Sequence, residues 1–211
     1  MIGLICCAGE LSDKNIFEEY YEKSDIKIAV DGGTKYFTTY NKDFDFAIGD
    51  FDSIKVEDKN FLEKNDKIFQ EYNCKKDFTD FEAAINILIE KNCTKIYAFG
   101  ATGTRLDHTI SNLIYSKKCF DNGIELIFVG NNNIIKFLGK SVECVMKYDY
   151  ISIIVLSNNG MKLKLDGFEY DSDLLDVDFC STLTISNKIK DKKAYIELLE
   201  GYGLLIRSEE H

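Results

Sequence analysis

The sequence predicts an α/β N-terminal domain with a mainly parallel sheet, followed by a smaller all-β domain. Three observations carry this. Up to about residue 130, short apolar runs alternate with amphipathic stretches, the pattern of parallel strands covered on both faces by helices. From about Asn131 onward, strand-like pieces separated by turn residues replace that alternation. The length of 211 residues suits one large or two small domains and buries a core without disulfide or metal staples. The expected division is therefore 1–130 and 131–211.

The N-terminal runs fall at 3–7, 26–30, 44–48, 67–70, 95–99 and 124–129. Each is short and mostly apolar, as a strand buried on both faces should be. The clearest helix between them covers 81–89. There Phe81, Ala84, Ile85, Leu88 and Ile89 recur at i, i+3, i+4, i+7 and i+8 and form one buried stripe. In the C-terminal part, strands are expected at 134–138, 150–156, 162–165, 183–185, 195–198 and 204–207. Asn158-Asn159-Gly160, Asp166-Gly167 and Glu200-Gly201 mark the turns between some of them.

Composition narrows the functional classes. Lys and Arg number 26 against 36 Asp and Glu, a formal net charge of −10 with no basic face or tail, which argues against a nucleic-acid or membrane-surface partner. The seven Cys form no Cys-x-x-Cys, so they read as buried free thiols in a reducing compartment. The N-terminal apolar run lacks a basic flank and is too short for a signal peptide, and no run approaches the ~18 apolar residues of a membrane span. A soluble, cytoplasmic protein is expected. The scarce residues are more pointed: there is no Pro and no Trp, the two Arg are Arg105 and Arg207, and the two His are His108 and His211.

In open α/β sheets, ligands bind at the carboxyl ends of the strands, and the chemically informative segments fall at such ends. The 26–30 run is followed by Asp31-Gly32-Gly33, and the 44–48 run by Gly49-Asp50-Phe51-Asp52-Ser53. The 67–70 run leads to Lys76-Asp77-Phe78-Thr79-Asp80-Phe81-Glu82, and the 95–99 run to Gly100-Ala101-Thr102-Gly103-Thr104-Arg105-Leu106-Asp107-His108. In extended chain Asp50 and Asp52 point to one side, about 6.5 Å apart, so both can reach one hard cation such as Mg²⁺. An Asp-rich turn capping a helix is the alternative. Thr79 and Glu82 fit a capping box, which places Asp80 in a first helical turn, either as a favourable charge on the helix dipole or as part of a metal or phosphate site.

The Gly100–His108 segment is a glycine-containing turn into a helix, with Asp107 the expected N-cap. Free N–H groups at such a junction favour a phosphate, although the spacing matches neither a P-loop nor a dinucleotide fingerprint. Arg105 is the sharper feature, since a guanidinium grips phosphate oxygens in two-pronged fashion and Lys does not. His108 is either a base or a packed side chain. Further on, residues 181–187 alternate polar and apolar as a half-buried strand would. Asp171, Asp173, Asp176 and Asp178 lack the Gly and Glu of a calcium loop and read as a solvated acidic loop or edge.

Taken in order, the four strand-end motifs resemble the thiamine pyrophosphokinase family, and Ser181 to Asn187 resembles that family's C-terminal Ser-Asn strand. The resemblance implies an α/β nucleotide domain followed by a β-sandwich that contributes to thiamine binding and dimerisation. It also implies transfer of pyrophosphate from ATP to the hydroxyethyl oxygen of thiamine, giving thiamine diphosphate and AMP, in a homodimer with thiamine near the subunit interface. Carried onto this sequence, it makes Asp50, Asp52 and Asp80 the Mg²⁺ ligands and, with Arg105 and Asp107, the catalytic set. ATP would be bound by Asp31, Gly32, Lys76, Asp77, Thr79, Thr104, Arg105 and His108, and thiamine by Ser181, Ser186 and Asn187. Asp107 would orient Arg105 or accept the hydroxyl proton. Two departures stand out. The first strand ends in Ala8-Gly9-Glu10, where many members have two glycines, and with no Trp the aromatic wall around thiamine falls to other residues, Tyr202 and Leu204 being candidates. A metal-dependent phosphohydrolase and a non-catalytic nucleotide- or thiamine-binding protein are the competing readings of the same carboxylate rim.

Overall fold

The computed structural model of the chain describes residues 1–49, 68–70 and 78–210. They form two compact units, Met1–Asn131 and Asn132–His211.

The first unit is a parallel sheet. Its strands are β1 (Ile2–Cys6), β2 (Ile26–Val30), β3 (Phe46–Ile48), β4 (Ile68–Gln70), β5 (Lys95–Phe99) and β6 (Glu125–Val129), in the order β4-β3-β2-β1-β5-β6. Every adjacent pair is parallel: Ile5 faces Ile28 on one side and Ala98 on the other, and Ala98 faces Phe128. The helices are α1 (Lys14–Tyr21), α2 (Thr34–Tyr40), α3 (Asp80–Glu90) and α4 (Leu106–Asp121). The helix expected at 81–89 is α3, and Phe81, Ala84, Ile85 and Leu88 of the expected stripe are buried, but Ile89 is exposed and Ile87 is buried in addition.

Aromatic side chains fill one core of this unit. Phe17 packs against Tyr36, Phe37 and Phe99 at ring-centroid distances of 5.4, 5.9 and 5.6 Å. On α3, Phe81 stacks on Phe128 of β6 at 6.2 Å, and Leu88 lies against Gly3, where a Cβ would stand 2.5 Å from Leu88 Cδ1. Chain order reverses about β1, whose neighbours are β2 and β5. In a sheet of this kind the crevice beyond the strands opens at that switch point.

The second unit is antiparallel. Its strands are β7 (Asn133–Leu138), β8 (Val142–Val145), β9 (Tyr150–Val155), β10 (Met161–Asp166), β11 (Ser172–Val177), β12 (Lys193–Glu200) and β13 (Gly203–Ser208). They run β7-β13-β9 and β11-β10-β12-β8, each neighbour antiparallel. Both sets bury side chains in one core, including Leu138, Ile153 and Leu205 from the first and Cys144, Leu163 and Ile196 from the second. The acidic stretch around Asp173 and Asp176 is the edge strand β11, where Val177 is buried and Leu175 packs partly buried against the same core.

Two expectations are corrected. Residues 183–185 are not a strand: the 181–187 segment is turn structure touching β9 through an isolated bridge between Ile151 and Asn187. Its alternation runs the opposite way to a core strand, with Leu183 and Ile185 exposed and Thr184 buried, the Thr184 hydroxyl donating to the Ile153 carbonyl at 2.7 Å. Strand β8 was not expected at all, being four residues at a sheet edge. Among the described residues, Cys6, Cys7, Cys93, Cys119 and Cys144 are buried free thiols and Cys180 is exposed. No helix there is long and apolar enough to cross a membrane.

Candidate active site

A cavity of about 590 Å³ opens beyond the carboxyl ends of β1, β2 and β5. Its wall combines Cys7-Ala8-Gly9, Val30-Asp31-Gly32, Thr79-Asp80-Phe81 and the Gly100–Arg105 turn, with His108, Thr109 and Asn112 from α4. The strand ends meet closely. The Cys7 and Gly9 amides donate to the carbonyls of Phe99 and Gly100 at 2.8 and 2.9 Å. A Cβ on Gly9 would lie 2.3 Å from the Gly100 oxygen, so only glycine passes there.

Side chains fix the loops. Asn112 Nδ2 donates to the Ala101 carbonyl at 2.8 Å, and Thr109 Oγ1 accepts the Gly103 amide at 3.0 Å. Lys35 Nζ on α2 donates to the carbonyls of Ala8 (3.0 Å) and Gly9. Asp31 sits at φ +48°, in the left-handed region that a non-glycine residue enters at a cost. Its Oδ1 fills the space where a Cβ on Gly49 would stand, 1.9 Å away, and Gly49 itself has φ +139°.

The first turns of α3 and α4 carry the charged groups. Thr79 caps α3, its Oγ1 accepting the Glu82 amide at 3.2 Å, and Asp80 follows on the cavity wall. Only half of the expected capping box forms: the Glu82 carboxylate instead accepts from Tyr115 Oη (3.1 Å) and Lys118 Nζ (2.8 Å), which ties α3 to α4. Asp107 is not the cap of α4. Arg105 occupies that position in extended conformation without a side-chain cap bond, and Asp107 is the second residue of the helix. There its carboxylate accepts from Arg105 Nη2 at 2.6 Å and Nε at 3.3 Å. The Arg105 hydrogen bond holds the Asp107 carboxyl below its ordinary range, helped by the His108 amide, and Asp107 in turn raises Arg105. Burial, with Asp31 nearby, pushes the Cys7 thiol well up.

Of the residues singled out by sequence, Asp31, Gly32, Thr79, Asp80, Thr104, Arg105 and His108 all line this cavity, and Asp107 adjoins it through Arg105. Asp50, Asp52, Lys76 and Asp77 lie outside the described residues. Among the described residues no group of three or more His, Cys, Asp or Glu stands together as a metal cluster. Thr109 and Asn112 were missed. Their signal was helical spacing, since Arg105, His108, Thr109 and Asn112 stand at i, i+3, i+4 and i+7.

The second unit holds a hollow of about 680 Å³ between apolar strand residues such as Ile151, Ile153 and Leu165 and the 182–187 turn. Ser186 and Asn187 line it and Ser181 does not: the Ser181 hydroxyl accepts the Leu183 amide at 3.2 Å within its own turn. The Asn187 carboxamide engages backbone, donating to the Tyr170 carbonyl at 3.0 Å and accepting the amides of Tyr170 at 3.1 Å and Lys188 at 2.9 Å. Tyr202 lines a different surface hollow and packs tilted against Phe137 at a ring-centroid distance of 5.7 Å, and Leu204 is buried, so neither borders this space.

Comparison with known proteins places both units. Residues 17–128 match the family model described as thiamin pyrophosphokinase, catalytic domain, and residues 140–202 match thiamin pyrophosphokinase, vitamin B1 binding domain. The chain is 30% identical over 192 residues to the curated thiamine pyrophosphokinase of Bacillus subtilis, covering 90% of each. It superposes on the crystal structure of a thiamine pyrophosphokinase from Bacillus subtilis with a TM-score of 0.90, at 27% identity and covering 100% of both chains. The corresponding protein from Geobacillus thermodenitrificans gives a TM-score of 0.85 at 30% identity, covering 100% of this chain and 98% of that one.

Proposed function

The chain belongs to the thiamine pyrophosphokinase family and has that family's enzymatic activity, and on that premise we propose how its own residues divide the work. ATP is the donor, its phosphates lying on the Gly100–Arg105 turn and the end of β1. Thiamine occupies the hollow in the second unit, which we read as a β-sandwich. The observation that carries this reading is the cavity wall itself: Asp31, Asp80, Arg105 and a glycine-lined pair of strand ends converge at the switch point of the sheet.

A divalent cation fits the donor set. Cys7 is the one thiol on the described wall, and burial keeps it protonated; beside His108, which this reading gives to the nucleotide, the anionic donors are the Asp31 and Asp80 carboxylates, the preference of Mg²⁺. In this reading Asp50, Asp52 and Asp80 hold Mg²⁺, with Asp31 beside them. When bound, the ion neutralises charge on the triphosphate. That matters because ATP brings about four negative charges to a protein of net charge −10.

The protein's own groups position and neutralise. Among the described residues Arg105 spends two of its five N–H donors on Asp107, and the rest face phosphate oxygens. Lys76 adds a second positive charge, and Asp77, Thr79, Thr104 and His108 complete the nucleotide contacts. The thiamine hydroxyl oxygen bonds to the β-phosphorus, the bond from that phosphorus to the oxygen bridging it to the α-phosphorus breaks, AMP leaves with that oxygen, and the hydroxyl proton passes to water. Asp107 serves to orient Arg105: a carboxyl held below its ordinary range by a guanidinium is a weaker base, so proton acceptance is the poorer role for it.

We place the enzyme in the cytoplasm, in line with its buried free thiols, and working as a homodimer. Supporting the dimer, Leu106, Ile110 and Ile114 make an exposed apolar stripe along α4. The deciding experiment incubates protein with ATP and Mg²⁺, with and without thiamine, and scores AMP and thiamine diphosphate. Thiamine-dependent AMP in equal amount to thiamine diphosphate is expected. Phosphate or pyrophosphate release without thiamine would mean a phosphohydrolase instead.

A further inference from the structure

The end of β1 lies between the two glycine turns of the nucleotide cavity, and a lysine from α2 holds it there. Ala8 and Gly9 both line the cavity. On one side, a Cβ on Gly32 would stand 3.2 Å from Ala8 Cβ, and on the other, a Cβ on Gly103 would stand 3.4 Å from Gly9 Cα. A shift of Ala8-Gly9 is therefore felt in both turns. Lys35, half-buried on α2, donates through Nζ to both carbonyls, that of Ala8 at 3.0 Å and that of Gly9. It is not among the described residues of the cavity wall. Two further α2 side chains hold the chain beyond. The Tyr36 hydroxyl accepts the Ser12 amide at 3.1 Å and donates to the Glu10 carbonyl, and the Tyr40 hydroxyl donates to the Ser12 carbonyl. Lys35 differs from them in its charge. Carbonyl oxygens at the rim of a phosphate site present negative dipole ends to an anion, and an ammonium bound to both offsets them while fixing their direction.

We propose that Lys35 is a positioning residue for ATP: by gripping the Ala8 and Gly9 carbonyls it holds the end of β1 in the arrangement that accepts the phosphates, without itself touching them. This rests on the reading that the cavity takes the ATP phosphates.

The test combines steady-state kinetics with hydrogen exchange on the full chain free of nucleotide. Lys35→Met should raise the ATP KM about tenfold, the lower end for a lost hydrogen bond to a charged group. It should leave kcat and the thiamine KM within about twofold, as loss of binding common to ground and transition states does. The Cys7 and Gly9 amides, which bond to the Phe99 and Gly100 carbonyls, should exchange faster in that variant. Lys35→Arg, which keeps charge and donors, should restore both readouts. Should Lys35→Met fail to fold, Lys35→Gln, shorter and neutral, is read in its place with the same expectation. A raised ATP KM with unchanged exchange would make Lys35 a phosphate ligand and overturn the positioning role. Faster exchange with an unchanged ATP KM would reduce Lys35 to a structural tie, and overturns it equally. Arg105→Ala separates the two levels: an unchanged ATP KM there would overturn the reading of the cavity itself. A raised KM in Arg105→Ala with an unchanged one in Lys35→Met would overturn the role of Lys35 alone.

Discussion

Arg105 and Asp107 form a two-pronged contact, Nη2 to Oδ2 at 2.6 Å and Nε to Oδ1 at 3.3 Å, at the solvent-exposed start of α4. Two side chains two residues apart do not face each other across a regular helix. They meet here because Arg105 is still extended, with φ −81° and ψ 94°, so its side chain folds back over the first turn. The contact fixes the plane of a guanidinium belonging to a residue of the cavity wall.

Asp107→Asn should therefore weaken ATP use without removing catalysis, raising the ATP KM up to about fivefold at neutral pH, within the range of one exposed ion pair. The pH dependence follows from sign. The Asp107 carboxyl is depressed by the Arg105 hydrogen bond, so the contact is fully present above the ordinary Asp value of about 3.9 and lost only as pH falls through the lower folded value. The acid limb of the wild-type profile near neutrality should then be unchanged in Asp107→Asn. A loss of a hundredfold or more in kcat, with that limb abolished, would instead identify Asp107 as the base.

Asp80 lies on the cavity wall in the first turn of α3. As a charge on the helix dipole it contributes about 0.3–1 kcal/mol, which bounds the stability cost of removing it. As a metal ligand its loss should cost far more in rate. Asp80→Ala is expected to lower thiamine-dependent AMP formation by at least a hundredfold while moving the thermal midpoint by only a few degrees, and Asp52→Ala should match it in rate. Wild-type turnover in either variant sinks the metal assignment.

Gly49→Ala tests the join between β2 and β3. The new Cβ would stand 1.9 Å from Asp31 Oδ1, on a backbone at φ +139° that side-chain-bearing residues rarely adopt. Both effects push one way: strain of about 1–3 kcal/mol and displacement of the Asp31 carboxylate from the cavity wall. The urea midpoint should fall with an unchanged slope, and activity should fall further than the lost stability explains. An unaltered midpoint would mean that the Asp31 side chain has room to move aside.

Much of this was legible in the sequence for a definite reason. The parallel strands are buried on both faces, so their apolar runs are continuous, and the charged motifs stand where those runs stop. Residues 181–187 were misread because alternation cannot say which phase faces inward. Thr184 is the buried member, its hydroxyl satisfied by the Ile153 carbonyl. The Asn187 carboxamide was equally hidden: whether such a group meets a ligand or a backbone depends on a chain segment 17 residues away. Asp107 was misplaced by two positions because Arg105, a residue with no capping preference, takes the cap.

The last prediction concerns the stripe on α4. Leu106, Ile110 and Ile114 stand at i, i+4 and i+8 and are 67%, 55% and 57% exposed. Three such side chains in a row on a charged protein cost solubility unless something covers them. A second copy is the economical cover, because one self-complementary patch closes a two-fold dimer. Three residues do not supply the ~800 Å² per partner of a stable interface, so they would form its centre. Ile110→Asp places a charge there while removing little from the folded chain, since the side chain is already more than half exposed. The mass in solution at micromolar concentration should fall from dimer to monomer, and the far-ultraviolet spectrum should stay the same. A variant that remains dimeric puts the interface on another face of the chain.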